Sequence, residues 1–162
     1  MIRPVTTADS EAITRIYNHY VLNTIITFEE QPIAATEMMG RIQEIFGAGL
    51  PWLVLETAEG VTGYAYAGRW KTRSAYRLSV ESTIYLDPVV TGSGHGLALY
   101  SKLISELRDI ALHTVIGGIA LPNLASVALH EKLGFRKVAH FEQTGWKFEK
   151  WIDVGYWQLL LD

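Results

Sequence analysis

The sequence predicts a mixed α/β (α+β) domain in which one central β-sheet carries helices on both faces. Its length of 162 residues is typical of one domain, so we expect residues 1–162 to form a single unit. Hydrophobic residues make up 49% of the chain and charged residues 19%, which is enough apolar material for a packed core. The spacing of apolar residues changes repeatedly between a helical period and a strand period. Because the predicted strands are joined both by hairpins and by helices, the sheet should contain parallel and antiparallel pairs.

The composition excludes several classes of function. The formal net charge is −3 and no basic run is present, so nucleic acid is not an expected partner. The absence of cysteine excludes a disulfide framework, a thiolate zinc site and a covalent cysteinyl intermediate. No stretch approaches the ~18–20 apolar residues of a membrane span, and the N-terminal residues do not resemble a signal peptide. We therefore expect a soluble cytoplasmic protein that uses neither a membrane nor a metal.

The first third of the chain predicts an edge strand followed by two amphipathic helices. The strand is Ile2 to Pro4, because proline is tolerated at a sheet edge. Thr7 is expected to cap the first helix, whose apolar residues recur with helical spacing. A weaker second helix runs from about Thr36 to Phe46 and is ended by glycines. The apolar positions of the first helix are Ile13, Ile16, Tyr17, Tyr20 and Val21.

The middle of the chain predicts three strands. Trp52 to Glu56 and Val61 to Ala67 flank a short polar turn and indicate a hairpin. A third strand, Leu78 to Leu86, is rich in β-branched and aromatic residues. This strand carries Glu81 at its middle, among apolar neighbours, and such a charge needs a functional or structural reason.

The last third predicts two helices that alternate with strands. A glycine-rich turn at 91–96 leads into a helix, and the strand Thr114 to Leu121 follows it. Asn123 opens a short helix, which Gly134 closes. The final predicted strands are Phe135 to Ala139 and Val154 to Leu161.

The glycine-rich turn is a candidate anion site. Gly92, Gly94 and Gly96 lie between a strand and a helix, where backbone N–H groups can converge on a phosphate beside the positive helix end. The turn lacks the Lys-Ser/Thr ending of a Walker loop, and its place in the chain does not fit a dinucleotide-binding fold. A tight strand-to-helix turn without a ligand remains the alternative at this point.

These motifs, taken together, resemble those of the GNAT acyltransferases. The glycine-rich turn, the strand after it, and the segments Asn123 to Ser126 and Leu129 to Phe135 carry the superfamily resemblance. Segments along nearly the whole chain are similar to the phosphinothricin and methionine sulfoximine N-acetyltransferase branch. They are Ile16 to Tyr20, Thr27 to Glu29, Ala65 to Gly68, Trp70 and Lys71, Val80 to Tyr85, and Lys147 to Gln158.

The resemblance implies that the protein binds acetyl-CoA as a co-substrate. The turn departs from the family pattern at Thr91 and Gly92, where most members begin with Gln or Arg, so a cationic contact to the pyrophosphate is missing. Relatives pair as dimers, which implies a homodimer here. The implied coenzyme-binding residues are Ile84, Tyr85, Leu86, Gly92, Ser93, Gly94, His95, Gly96, Leu97, Asn123, Ser126 and Lys132.

Two residues are candidates for acid–base catalysis. Acetyl transfer to an amine needs a neutral amine and a protonated leaving thiolate. Burial would raise the pKa of Glu81 and make it a usable base, and the family also places its base there. The alternative is an ion pair between Glu81 and Arg77 or Arg73. His130 lies where many relatives place a tyrosine near the coenzyme sulfur and is the candidate acid, although a histidine between helix leucines is as often a packed, structural group.

The loop before the predicted strand Leu78 to Leu86 is expected to select the substrate. Lys71, Arg73 and Arg77 are cations close in sequence to Glu81, and the carboxylate of an amino acid needs such a partner. The resemblance favours Lys71 and Arg77, while a solvated cationic loop is the alternative. The expected substrate-binding residues are Phe28, Trp70, Lys71, Ser74, Ala75, Tyr76, Arg77 and Thr144.

The sequence thus predicts an N-acetyltransferase for the α-amine of a small amino acid such as phosphinothricin, methionine sulfoximine or methionine sulfone. Without cysteine, the amine should attack acetyl-CoA directly in a ternary complex, with sequential kinetics. The alternatives are a GNAT enzyme for another amine, such as a peptide N-terminus or a polyamine, and a non-catalytic acetyl-CoA sensor.

Overall fold

A seven-stranded mixed sheet with four α-helices makes up the fold, in a computed structural model that describes all 162 residues. The strands are β1 (Ile2–Pro4), β2 (Trp52–Thr57), β3 (Gly60–Arg69), β4 (Ser79–Leu86), β5 (Thr114–Leu121), β6 (Arg136–Lys147) and β7 (Lys150–Leu160). The helices are α1 (Ser10–Asn23), α2 (Ala35–Gly47), α3 (His95–Asp109) and α4 (Leu124–Lys132). The sheet order is β1-β2-β3-β4-β5-β7-β6, and only β4 and β5 are parallel. The predicted fold class and order of elements are confirmed.

Two apolar layers lie on opposite faces of the sheet. Ile13 of α1 and Ile42 of α2 are fully buried against Val54 of β2 on one face. Leu103 of α3 packs on the other face, in a cluster that includes Leu53, the neighbour of Val54 in β2. Successive strand residues point to opposite faces, so alternate side chains of β2 contribute to the two layers. No helix combines the length and the apolar character needed to cross a membrane.

The start of α1 differs from the expected cap. Thr7 belongs to a short 3₁₀ turn, Thr7–Asp9, and α1 begins only at Ser10. Asp9 accepts hydrogen bonds from the backbone N–H of Thr6 at 2.8 Å and from Arg3 at 2.9 Å. The Arg3 guanidinium lowers the pKa of Asp9 to about 2. The expectation for Thr7 was therefore wrong, because the carboxylate of Asp9 organises the turn one residue earlier, from Thr6.

The sheet opens between its two parallel strands. Only Ser79, Val80 and Glu81 of β4 pair with β5, and Glu81 is opposite Ile116. Beyond this point β4 continues to Leu86 and β5 to Leu121 without pairing to each other. The strands diverge, and the backbone of β4 from Ser82 onward has an unpaired edge toward β5. This opening forms the cleft described below.

The C-terminal hairpin is longer than the sequence pattern indicated. β6 and β7 pair from Arg136 to the Lys147–Lys150 turn, with a register shift between Phe141 and Gly145. Only Gly145 and Lys147 are buried along β6, so the strand lacks the apolar alternation that would predict it. The two-residue turn, Phe148 and Glu149, has φ angles of 52° and 58° without glycine. Sequence signals for hairpins depend on glycine or asparagine there, and both are missing.

Candidate active site

Two adjoining cavities occupy the cleft between β4 and β5. The first, of about 370 Å³, is lined by Glu81 and by residues of the α1–α2 segment, β5 and β7. The second, of about 420 Å³, lies against the glycine-rich turn and α4. Both cavities are lined by Ile84 and Tyr85 of β4, by Asn123 just before α4, and by Ser126 within α4. A molecule extended along the cleft would therefore reach from the glycine-rich turn to Glu81.

Glu81 is the carboxylate of the first cavity. It lies where β4 and β5 stop pairing and is opposite Gly68 on β3. Burial raises the pKa of Glu81, and the positive charge of Lys71 opposes this effect. None of the ion pairs of the structure includes Glu81, so the predicted alternative of a pair with Arg77 or Arg73 does not form. The carboxylate is thus half-buried, unpaired and open to the cavity.

The glycine-rich turn presents unpaired backbone donors to the second cavity. Gly92 and Gly94 have φ angles of 79° and 82°, in the left-handed region that glycine adopts without strain. The N–H groups from Gly92 to Leu97 donate to no acceptor in the protein. Thr91 and Lys132 line the same cavity. Converging N–H groups at the start of a 15-residue helix form an anion-binding arrangement.

Not every residue predicted for the coenzyme lines the cleft. Ten of them line it: Ile84, Tyr85, Leu86, Gly92, Gly94, Gly96, Leu97, Asn123, Ser126 and Lys132. Ser93 and His95 line neither cavity, because their side chains turn away and lie 2.8 Å apart, from Ser93 Oγ to His95 Nδ1. Only their backbone N–H groups remain available to a ligand. Asn123 also caps α4, its Oδ1 accepting from the N–H of Ser126 at 3.1 Å.

His130 is held in a buried hydrogen-bond chain. Its Nδ1 donates to the carbonyl of Ser126 at 2.7 Å, so in the neutral ring Nε2 accepts from the hydroxyl of Tyr100 at 3.1 Å. Tyr100 in turn accepts from the hydroxyl of Ser82. The ring is only 4% exposed, and burial lowers the pKa of His130. Both nitrogens are therefore occupied within the protein, an arrangement that favours the structural interpretation of this histidine.

The predicted substrate residues separate into three groups. Phe28 and Thr144 line the cavity of Glu81. Trp70 and Lys71 line a third cavity, of about 380 Å³, on the same side of β5 and β7, with Lys71 Nζ 4.8 Å from the centre of the Trp70 ring. The remaining four are exposed and line none of the three cavities, so their role in substrate binding stays a prediction. They are Ser74, Ala75, Tyr76 and Arg77.

Tyr156 is a site residue that the sequence interpretation missed. Its ring lines both the Glu81 cavity and the cavity of Lys71, and it packs edge-on against Trp70 with ring centres 5.7 Å apart. The signal for it was present in the Gly-Gly pair of β5. Gly118 lies opposite Tyr156, and a Cβ at Gly118 would be 3.1 Å from the ring. Glycine inside a strand often marks such a close approach.

Comparison with known proteins identifies the family and the fold. A family profile described as "Acetyltransferase (GNAT) domain" matches residues 2–155. The chain belongs to the GNAT acetyltransferase family. The L-amino acid N-acyltransferase MnaT of Escherichia coli K12 is 40% identical over 161 residues, which cover 99% of this chain and 94% of MnaT. A phosphinothricin N-acetyltransferase of Streptomyces viridochromogenes is 38% identical, over 97% of this chain and 85% of that protein.

Solved structures of GNAT enzymes agree with this assignment. The Salmonella typhimurium yncA structure, which contains acetyl-CoA, has a TM-score of 0.97 at 38% identity and covers all of this chain and 94% of that one. A phosphinothricin acetyltransferase from Sinorhizobium meliloti in complex with acetyl-CoA has a TM-score of 0.96 at 38% identity, over 99% of this chain and 88% of that one. The resemblance to the phosphinothricin and methionine sulfoximine branch is confirmed, and this GNAT protein is an acyltransferase.

Proposed function

We propose that the protein transfers the acetyl group of acetyl-CoA to the α-amino group of a small amino-acid-like substrate of the phosphinothricin, methionine sulfoximine or methionine sulfone type. The observation that carries the proposal is the unpaired, half-buried carboxylate of Glu81 in a cavity continuous with the glycine-rich turn. The names of the relatives, which include amino-acid N-acyltransferases and phosphinothricin acetyltransferases, support this substrate class.

The cleft fits acetyl-CoA in its donor set. Unpaired N–H groups from Gly92 to Leu97 suit the pyrophosphate, and Lys132 adds a cation at the same cavity. The open edge of β4 after Glu81 can pair with the amides of the pantetheine arm as an added strand would. When bound, acetyl-CoA supplies an acetyl thioester beside Glu81. The lack of a cation at Thr91 and Gly92 leaves phosphate binding to the backbone donors and Lys132.

Glu81 acts as the general base in this proposal. A protonated α-amine cannot attack a carbonyl, so a group within the cavity must take its proton. The raised pKa of Glu81 brings its basicity closer to that of the amine, and Lys71 keeps it from rising further. With no cysteine in the chain to carry the acetyl group, the amine attacks directly. Both substrates must then be bound together, which gives sequential kinetics.

His130 has a positioning role in this proposal, which follows the structural alternative left open by the sequence and not the acid role. Its Nε2 has no proton in the neutral ring and faces Tyr100, while its Nδ1 proton is bound to the Ser126 carbonyl. The chain Ser82–Tyr100–His130 connects β4, α3 and α4 at the base of the cleft. It therefore fixes the spacing of the elements that hold the coenzyme.

Lys71 is the proposed partner of the substrate carboxylate. It lies at the cavity next to that of Glu81, on the other side of Tyr156, and has no carboxylate of its own among the ion pairs. An α-amino acid whose amine is at Glu81 would reach past the Tyr156 ring toward this cation. Arg77, exposed and bonded to the Ser74 carbonyl at 3.3 Å, is less well placed within one chain.

The test is turnover of Glu81→Gln on a panel of amines, followed by release of coenzyme A. We expect kcat to fall ~10²- to 10⁴-fold with little change in the KM for acetyl-CoA. Glu44→Gln, at an exposed position of α2, is the matched control and should behave as wild type. The panel is phosphinothricin, methionine sulfoximine, a peptide with a free N-terminus, and spermidine. Near-normal turnover by Glu81→Gln would refute the base, and wild-type turnover only on the last two, or on none, would refute the substrate class.

A homodimer through the C-terminal hairpin is the second part of the proposal. Phe141, Trp146 and Trp151 of β6 and β7 are each more than half exposed, and β6 is the edge of the sheet. Exposed aromatic side chains along an edge hairpin are costly in water unless a partner covers them. Sedimentation velocity should show a dimer for wild type and a monomer for Trp151→Glu. A monomeric wild type would contradict this assignment.

A further inference from the structure

Lys147 is a buried lysine that the chemistry above does not use. It lies at the end of β6, is 1% exposed and has no carboxylate partner among the ion pairs. Its Nζ donates to the backbone carbonyl of Thr27 at 2.8 Å, across 120 positions of the chain. Burial lowers the pKa of Lys147. The cost of burying this ammonium is offset by that hydrogen bond, by the negative charge of Glu30 and by the ring of Phe148, whose centre lies 5.1 Å from Nζ.

The residue two positions before Lys147 is fitted to the same segment. Gly145 is the other buried residue of β6, and it lies against the ring of Phe28. A Cβ at Gly145 would come within 2.3 Å of that ring. Trp146, between them, points to the opposite side and is 52% exposed. The inward face of β6 at this end is therefore shaped by the backbone of Thr27 and the side chain of Phe28.

The opposite side of this segment is held by the two helices that it connects. The hydroxyl of Tyr17 in α1 donates to Glu29 at 2.6 Å, and Thr27 Oγ1 lies 2.9 Å from the same hydroxyl. Arg41 of α2 pairs with Glu29 at 2.6 Å. These contacts hold the side chains of Thr27 and Glu29, whereas the carbonyl of Thr27 has its contact with Lys147. Lys147 is thus the polar connection from the hairpin to this wall.

We propose that Lys147 is a positioning residue for the acceptor amine, which sets the place of Thr27 and Phe28 against Glu81 without touching the substrate. Thr27 and Phe28 line the cavity of Glu81, and Thr144 lines it from the hairpin side. The proposal rests on the proposed function, because it assigns this wall to the acceptor. Neither Lys147 nor its contacts line the cavity of the glycine-rich turn. A substitution at Lys147 should therefore change the KM for the acceptor and leave the KM for acetyl-CoA unchanged.

The kinetic test compares Lys147→Met with Lys150→Met. Lys150 pairs with Lys147 in the hairpin register but is exposed, so it is a matched control. Loss of a hydrogen bond from a charged donor should raise the KM for the acceptor roughly tenfold in Lys147→Met, with the KM for acetyl-CoA within about twofold of wild type. Lys147→Arg keeps a donor and should recover part of the loss. Gly145→Ala, which displaces Phe28 without altering charge, should also raise only the acceptor KM.

Amide hydrogen exchange gives a second readout that does not require turnover. In Lys147→Met, peptides covering residues 26–33 should exchange faster than in wild type, while those covering 92–97 should not change. Equal KM values and equal exchange in Lys147→Met and Lys150→Met would overturn the proposal, as would a parallel rise in both KM values. If wild type acetylates no amino acid, the proposed function fails, and the exchange of residues 26–33 still decides whether Lys147 holds this segment.

Discussion

The two halves of the cleft are built in different ways. The coenzyme half comes mostly from two continuous stretches, 84–97 and 123–132, with Tyr20 and Ile26 from elsewhere. Its polar donors are chiefly the backbone N–H groups of the glycine-rich turn, beside apolar side chains. The acceptor half brings together Thr27, Glu81, Thr144 and Tyr156 from four separate parts of the chain, and it presents side chains. A backbone cradle tolerates substitution of its neighbours, whereas a wall of side chains changes with each residue. One family can thus keep one coenzyme and vary its acceptor.

The largest expected effect on ligand affinity comes from a substitution that disrupts the coenzyme half alone. Gly94→Val places a β-branched residue at a φ of 82°, where strain costs about 1–3 kcal/mol and the turn must change shape. Since the converging N–H groups are lost with the turn, we expect the affinity for acetyl-CoA to fall ~100-fold by isothermal titration calorimetry. Gly49→Val introduces similar strain, at a φ of 70°, at the end of α2 and far from the cleft. It should lower stability and leave affinity intact, and unchanged affinity in Gly94→Val would contradict the site.

Two adjacent glycines of β5 separate, within the acceptor half, the buried hydrogen bonds of His130 from the ring of Tyr156. A Cβ at Gly117 would lie 2.6 Å from His130 Nε2, whereas one at Gly118 would lie 3.1 Å from the ring of Tyr156. Gly117→Ala should therefore lower the free energy of unfolding by about 1–3 kcal/mol, because the buried chain through His130 must shift. Gly118→Ala should leave thermal stability nearly unchanged and raise the acceptor KM a few-fold, since Tyr156 moves at the surface of its cavity. Equal losses of stability and equal acceptor KM values in the two variants would contradict this separation.

The smallest expected effect concerns the pH profile. The base must be deprotonated, so kcat/KM falls as pH falls through the pKa of Glu81, and the charge of Lys71 holds that pKa down. Lys71→Met should move the acidic limb to higher pH and raise the acceptor KM roughly two- to fivefold, the effect expected of one partly exposed ion pair. Lys71→Arg keeps the positive charge, so the acidic limb should stay at the same pH as in wild type. A limb that moves to lower pH in Lys71→Met would exclude the interaction.

Much of the fold could be predicted because its signals are local. Apolar spacing located α1 to α4 and β1 to β5 within a few residues, and Asn123 and Gly134 marked the ends of the last helix. The sequence predicted only the start of β6, Phe135 to Ala139, because nearly every side chain along the strand is exposed and period 2 is not visible. The site was predictable where it depends on a motif, as at the glycine-rich turn, or on a charge inside an apolar strand, as at Glu81.

The remaining parts of the site depend on contacts between distant residues. Ser74 to Arg77 follow Trp70 and Lys71 closely in sequence, yet a 3₁₀ turn at Ser74–Tyr76 places them outside the cavities. The hydrogen bonds of His130 are made to Tyr100 and to the carbonyl of Ser126, and neither is visible in the pattern around it. Lys147 has the composition of a surface lysine, and only the register of β6 makes it buried.

In the proposed complex, the coenzyme would also cover the open edge of β4. From Ser82 to Tyr85 the strand has no neighbour toward β5, so the empty enzyme carries a strand edge able to pair with another polypeptide. A ligand lying along this edge blocks such pairing, and at a hundred times its Kd it also stabilises the fold by about 2.7 kcal/mol. The solubility of the enzyme and its resistance to aggregation should therefore increase with the concentration of acetyl-CoA. The same molecule would be both a reactant and a stabilising ligand.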